Sequence, residues 1–149
     1  MTRPFEDGDP VVSVVLPAYG EEAGIGRALD EITRTMENSG VGFEIVVVDD
    51  GSRDATFEHV RARGLADRRV RGLRFSRNFG KEAALSAGLA AARGRAVVTM
   101  DADLQHPPAL LPAMIEAWRN GAKVVHAVKR SRGDDGPLVR LRARLFNGL

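Results

Sequence analysis

Asp101 and Asp103 are two carboxylates one residue apart, placed where an apolar run, Ala96-Val97-Val98-Thr99, gives way to polar chain. In extended backbone, residues i and i+2 point to the same side, so both carboxylates can face one space and Gln105 can continue the row. Oxygen ligands of this kind suit a hard divalent cation, Mg²⁺ or Mn²⁺. Magnesium keeps most of its waters and usually joins one or two carboxylates to the phosphates of a substrate. The motif therefore points to a nucleotide-phosphate substrate. An Asp-x-Asp pair by itself is most often a pair of solvated loop charges, so its meaning depends on what else the chain brings to the same place.

Stepping along the chain, apolar β-branched runs alternate with helical patterns. Strands are predicted over residues 11–16, 43–48, 70–75, 96–100 and 123–128. Between the first two, Ile25, Ala28, Leu29, Ile32 and Met36 recur at helical spacing, and Asn38-Ser39-Gly40 stops the helix. A second helix over about 55–65 can be capped by Ser52 or Asp54. A third, over about 80–92, is rich in small residues that allow close packing on a sheet. Pro107-Pro108 opens a fourth, running to about Asn120-Gly121, because proline is tolerated in a first turn. Trp118 falls at helical spacing with Leu111, Met114 and Ile115 and is assigned to the core.

This alternation predicts an α/β fold: a mostly parallel sheet with helices on both faces. Ligands of such sheets bind beyond the carboxyl ends of the strands. Every polar cluster singled out here falls at such an end: Pro17 to Glu21, Asp49 to Ser52, Ser76 to Lys81, Asp101 to Gln105, and Lys129 to Arg132. That convergence carries more weight than any one motif.

Composition limits the function classes. The chain has 149 residues, 44% hydrophobic and 28% charged, as expected of one globular domain. It has no cysteine, which excludes disulfides and thiolate metal sites, and its three histidines are scattered. The net charge of +2 is uneven: residues 129–149 hold six basic and two acidic residues, leaving −2 for residues 1–128. Basicity confined to one end argues against nucleic acid as a partner and fits a local anionic one, a phosphate or a lipid headgroup.

Val12-Ser13-Val14-Val15-Leu16-Pro17-Ala18-Tyr19, Val47-Val48-Asp49-Asp50-Gly51-Ser52 and Asp101-Ala102-Asp103 resemble motifs of the inverting family-2 glycosyltransferases with the GT-A, Rossmann-like fold. Phe75 to Leu85 and Met100 to Gln105 narrow the resemblance to the branch of dolichyl-phosphate mannose synthase and bacterial polyprenyl-phosphate glycosyltransferases. It covers residues 11–146, with motif order and spacing kept. The resemblance implies a donor that is a UDP- or GDP-linked sugar and an acceptor that is a polyprenyl or dolichyl phosphate. Pro17, Tyr19 and Glu21 would line base and ribose. Asp50, with Asp49, would accept hydrogen bonds from the base, and Lys81 would contact the nucleotide. Asp101 and Asp103 would hold Mg²⁺ or Mn²⁺ on the diphosphate, with Gln105 as a further ligand. Arg130 and Arg132 match a basic pair near the phosphates. The acceptor phosphate is already anionic, and no general base is assigned. Two rival readings are a soluble or polysaccharide acceptor, and a donor-binding fragment without turnover. Gly20 stands where the family commonly has Asn, and His106 where Asp is frequent, neither altering the charged set.

The expected organisation is a disordered leader over 1–10, a nucleotide-sugar-binding domain over 11–132 and a basic amphipathic juxtamembrane segment over 133–149. Leu138, Leu141, Leu145 and Leu149 recur at helical spacing, with Arg140 and Arg144 on the other side, a pattern suited to an anionic membrane surface. The chain is thus expected at the cytoplasmic membrane face. It stops at Gly148-Leu149, inside that segment, as a truncated chain or one half of a split enzyme would. Its apolar helix faces leave a homo-oligomer open.

Overall fold

The computed structural model describes residues 7–129 and 139–144. They form two compact units that divide after Gln105. The first contains strands β1 (Val12–Ala18), β2 (Phe43–Asp49), β3 (Val70–Arg74) and β4 (Ala96–Thr99), with helices α1 (Ile25–Ser39), α2 (Thr56–Ala66) and α3 (Lys81–Ala91). The strands form one parallel sheet in the order β3-β2-β1-β4. Steps from β1 to β2 to β3 run one way, and the step to β4 runs back past two strands. With right-handed crossovers, α1 and α2 cover one face and α3 the other.

Burial follows from this layering. Every residue of β1 and β2 is buried, as expected of central parallel strands covered on both faces. Ile25, Ala28, Leu29, Ile32 and Met36 of α1 are all buried, as their spacing predicts. On the other face, Val15, Val46, Val48 and Ala84 form a cluster with Leu73, Phe75 and Leu85 packed against it. Gly88 lets α3 lie close: a Cβ there would stand 2.3 Å from Val15 Cγ1 and 3.2 Å from Val48 Cγ2.

At the amino ends of the strands, Ser13, Glu44 and Arg71 form a polar row on the α3 face. Ser13 Oγ donates to Glu44 Oε1 at 2.6 Å, and Arg71 Nε donates to Glu44 Oε2 at 2.9 Å. Arg71 Nη2 also donates to the Ala91 carbonyl at 2.6 Å, closing the last turn of α3. The backbone N–H of Arg93 reaches Glu44 Oε1 at 2.7 Å, and that of Gly94 reaches Ser13 Oγ at 2.8 Å.

The described residues of the second unit form a 3-10 turn (Pro108–Leu110), α4 (Leu111–Arg119), β5 (Val124–Lys129) and β6 (Val139–Arg144). Leu111 and Ile115 are buried on α4, while Met114 and Trp118 are half-buried. The fifth strand expected from sequence is present, but it pairs antiparallel with β6 rather than joining the parallel sheet. The amphipathic helix expected over residues 138–149 is corrected here, since Val139–Arg144 is a strand. Val139, Leu141 and Ala143 alternate with Arg140, Arg142 and Arg144, a period of two that competes with the helical spacing of the leucines. The rest of that segment, like residues 1–6 of the expected leader, lies outside the described residues. Among the described residues no helix is long and apolar enough to cross a membrane.

Candidate functional site

The cleft begins with a proline. Val15 accepts a hydrogen bond from the Met100 N–H at 3.0 Å, so its backbone faces β4, as would that of Pro17 two residues on. Proline has no N–H to continue the ladder. Pairing of β1 with β4 ends at Val15–Thr99, whereas β1 stays paired with β2 through Ala18–Asp49. The strands thus part beyond Val15, at the point where the crossover direction reverses, the position at which open α/β sheets bind ligands.

A cleft of about 420 Å³ occupies that gap, lined by Pro17, Ala18, Tyr19, Glu21, Asp50, Lys81, Asp101, Ala102, Asp103 and Gln105. The structure therefore brings together eight of the eleven residues selected from sequence. Ala18 and Ala102 were missed, since small apolar residues carry no chemical signal and line the cleft only by adjacency. Asp49 does not reach it: its side chain is fully buried, and its Oδ1 accepts the Ser52 N–H at 3.1 Å, shaping the turn. Arg74 Nε lies 3.4 Å from its Oδ2. Arg130 and Arg132 lie outside the described residues.

Three loops are tied into the frame. Gly20 N–H donates to Ser52 Oγ at 2.9 Å and Glu21 N–H to Thr56 Oγ1 at 2.9 Å, joining the β1 and β2 loops. Neither Ser52 nor Asp54 is the cap of α2: Ala55 holds that position without a side-chain hydrogen bond, and Asp54 Oδ1, one residue earlier, accepts the Thr56 N–H at 3.0 Å. The Thr56 hydroxyl bonded to Asp54 holds that carboxyl below its ordinary acidity value. Gly51, at φ +73°, lies against the β3 loop so tightly that a Cβ would stand 2.3 Å from the Arg77 carbonyl carbon. Asp50 is nearly buried, and its carboxylate accepts the N–H groups of Phe79 (2.7 Å) and Gly80 (3.0 Å).

The β4 loop is held differently. Leu104 N–H donates to the Asp101 carbonyl at 3.2 Å and Gln105 N–H to Asp103 Oδ1 at 3.1 Å. Leu104 has φ +56°, and among the described residues no other non-glycine residue has positive φ. Lys81, the first residue of α3, extends Nζ to within 2.5 Å of Asp101 Oδ1. Glu21 is pushed above its ordinary acidity value, first by burial and then by the charges of Asp103, Asp54 and Asp101. The cleft thus concentrates negative charge with one lysine facing it.

That donor set fits a hard divalent cation: carboxylate and amide oxygens with no thiolate or imidazole among them. Among the described residues no three His, Cys, Asp or Glu side chains converge as a closed metal cage. Two carboxylates that leave positions open for water and phosphate are the arrangement Mg²⁺ favours.

Comparison with known proteins bears on the family and the fold. Residues 13–148 match the family described as Glycosyl transferase family 2. A bactoprenol glucosyl transferase of Shigella phage SfV is 42% identical over 91% of this chain and 44% of its own length. An undecaprenyl-phosphate 4-deoxy-4-formamido-L-arabinose transferase of Aeromonas hydrophila is 38% identical over 83% of this chain and 38% of its own. The chain spans less than half the length of these relatives. A mannosyltransferase from Pyrobaculum calidifontis, solved with GDP-Man and Mn²⁺, superposes with a TM-score of 0.70 at 29% identity, covering 88% of this chain and 39% of that one. The sheet and its flanking helices are those of a GT-A fold.

Proposed function

The chain belongs to glycosyl transferase family 2, and from that premise we propose that it forms the donor-binding part of a transferase. On this reading a UDP- or GDP-linked sugar passes to a polyprenyl phosphate with inversion, at the membrane that holds the lipid. The observation that carries the reading is the cleft at the sheet's switch point, where Asp101, Asp103, Gln105 and Lys81 line one space. The names of the phage and Aeromonas relatives support the lipid acceptor.

Each residue has a physical task. Pro17, Tyr19 and Glu21 border the base and ribose, and Tyr19, half-exposed, offers a ring face and a hydroxyl. Asp50 spends one lone pair of each oxygen on backbone amides and keeps others for a base N–H. Asp101 and Asp103, with Gln105, would hold Mg²⁺ or Mn²⁺, which when bound offsets charge on a departing diphosphate. Lys81 adds a cation on the same side and can turn from Asp101 to a phosphate oxygen. Arg130 and Arg132 belong to the same proposal as phosphate contacts. A phosphate acceptor is already a nucleophile near neutral pH, so placement and charge shielding matter more than proton removal.

Calorimetric titration with UDP and GDP, each with and without Mn²⁺, tests the donor site, and a turnover assay with polyprenyl phosphate tests the acceptor. Metal-dependent binding of one nucleotide is expected. Equal binding with and without Mn²⁺, or none, would overturn the metal-held donor site. Transfer to a soluble sugar but not to the lipid would replace the acceptor.

A further inference from the structure

Asp50 does something that a contact to the base does not require. Its two carboxylate oxygens accept the N–H groups of Phe79 and Gly80 from a different loop, with the side chain nearly buried. Gly80 is the residue at which α3 begins: its carbonyl accepts the Ala84 N–H at 3.1 Å, the first bond of the helix. In many helices a glutamate in the first turn reaches back to satisfy the N–H of the capping residue. Here the helix has no side-chain cap of its own, and Asp50 performs that service from the β2 loop. The next residue is Lys81, whose Nζ stands 2.5 Å from Asp101.

We propose that Asp50 is a positioning residue: by clamping Phe79 and Gly80 it fixes the start of α3 and so places Lys81 over the acidic row where the diphosphate binds. The inference rests on the proposed donor site and adds to it a link between its base and phosphate ends. A second observation points the same way. Gly51 at φ +73° brings the same turn against the Arg77 backbone, so both residues of the Asp50-Gly51 pair hold the same loop. A carboxylate is better suited than an amide to this clamp, because both oxygens accept and the negative charge stands at a helix amino end. Asp50→Asn keeps the shape but turns one acceptor into a donor facing a donor.

The test uses a ligand without a base. Inorganic pyrophosphate with Mn²⁺ is titrated into the wild-type chain, Asp50→Asn, Lys81→Met and the double variant, alongside UDP and GDP. The positioning role predicts that Asp50→Asn weakens pyrophosphate binding about tenfold, the worth of one charged hydrogen bond. It further predicts that Lys81→Met does much the same and that the double variant is little worse than either, since both act through one contact. Asp50→Asn that weakens UDP or GDP but leaves pyrophosphate unchanged would overturn the inference and leave Asp50 as a base contact alone. If wild type binds no pyrophosphate, the donor-site reading fails at the phosphates. Hydrogen exchange at the Phe79 and Gly80 amides then judges the clamp separately: faster exchange in Asp50→Asn upholds it, and unchanged exchange ends it. Asp50→Ser, with one acceptor, gives the same comparison should the Asn variant misfold.

Discussion

At the amino ends of the strands Glu44 meets a hydroxyl, a guanidinium and a backbone N–H, while at the carboxyl ends Glu21 meets Asp103, Asp54 and Asp101. Glu44 lies on β2 and Glu21 in the loop that follows β1, yet one is matched and the other crowded by its own sign. A buried polar network in which each member finds a partner rigidifies a fold. Like charges gathered beside an open cleft weaken it slightly and wait for a cation. Stability is concentrated at one end of the sheet and binding capacity at the other, and the same strands serve both.

The sharpest way to break this comparison is at the matched end. Glu44→Ala removes the acceptor of Arg71 Nε and of the Ser13 hydroxyl and leaves the Arg93 N–H only Ser13 Oγ at 3.2 Å, while Arg71 keeps the Ala91 carbonyl, and is expected to cost about 3 kcal/mol in urea unfolding. A loss below about 1 kcal/mol would show that the network is ornamental. Gly51→Ala comes next. Its φ disfavours a side chain, and the new methyl would overlap the Arg77 backbone, so about 2–3 kcal/mol should be lost, again read by unfolding.

At the crowded end the expectation reverses. Asp101→Asn with Asp103→Asn should leave stability within about 0.5 kcal/mol, because the Lys81–Asp101 pair is exposed. The same double variant should lower Mn²⁺-dependent nucleotide affinity at least about tenfold by calorimetry. The smallest effect is that of Glu21→Gln. A carboxyl whose folded-state value is raised weakens the fold as pH climbs through that value, and not below the unfolded value. The variant should therefore be more stable than wild type by up to about 0.5 kcal/mol at about pH 7, with the gain gone near about pH 3. A gain that persists in acid would assign it to packing instead.

Much of this was readable in the sequence because strand and helix periods are local. Ile25, Ala28, Leu29, Ile32 and Met36 fix α1 without any knowledge of its neighbours, and the strand ends fix where polar residues gather. The cleft residues were legible for the same reason: Tyr19, Lys81 and Asp103 all follow from strand ends in a parallel sheet. What stayed hidden depends on pairing across distance. Asp49 and Asp50 are adjacent acids of the same type: Asp49, buried, accepts the Ser52 N–H of its own turn, while Asp50 takes its amide partners from the distant 76–80 loop. Residues 139–144 satisfied a helical and an alternating pattern at once, and the partner strand β5 settled the choice. The Glu44 network joins residues 27 to 49 positions apart and has no local signature.

One consequence concerns what α3 can do when a ligand arrives. The helix is pinned by Asp50 at Gly80, by Arg71 at Ala91, and by the close seat of Gly88 on Val15 between them. A rod held at both tips and pressed at its middle keeps few degrees of freedom: it cannot tilt, slide or lift without breaking a restraint. Movement on ligand entry is therefore left to the Lys81 side chain and to the 101–105 loop, so the induced fit of this site should be measured in rotamers rather than in helix displacement.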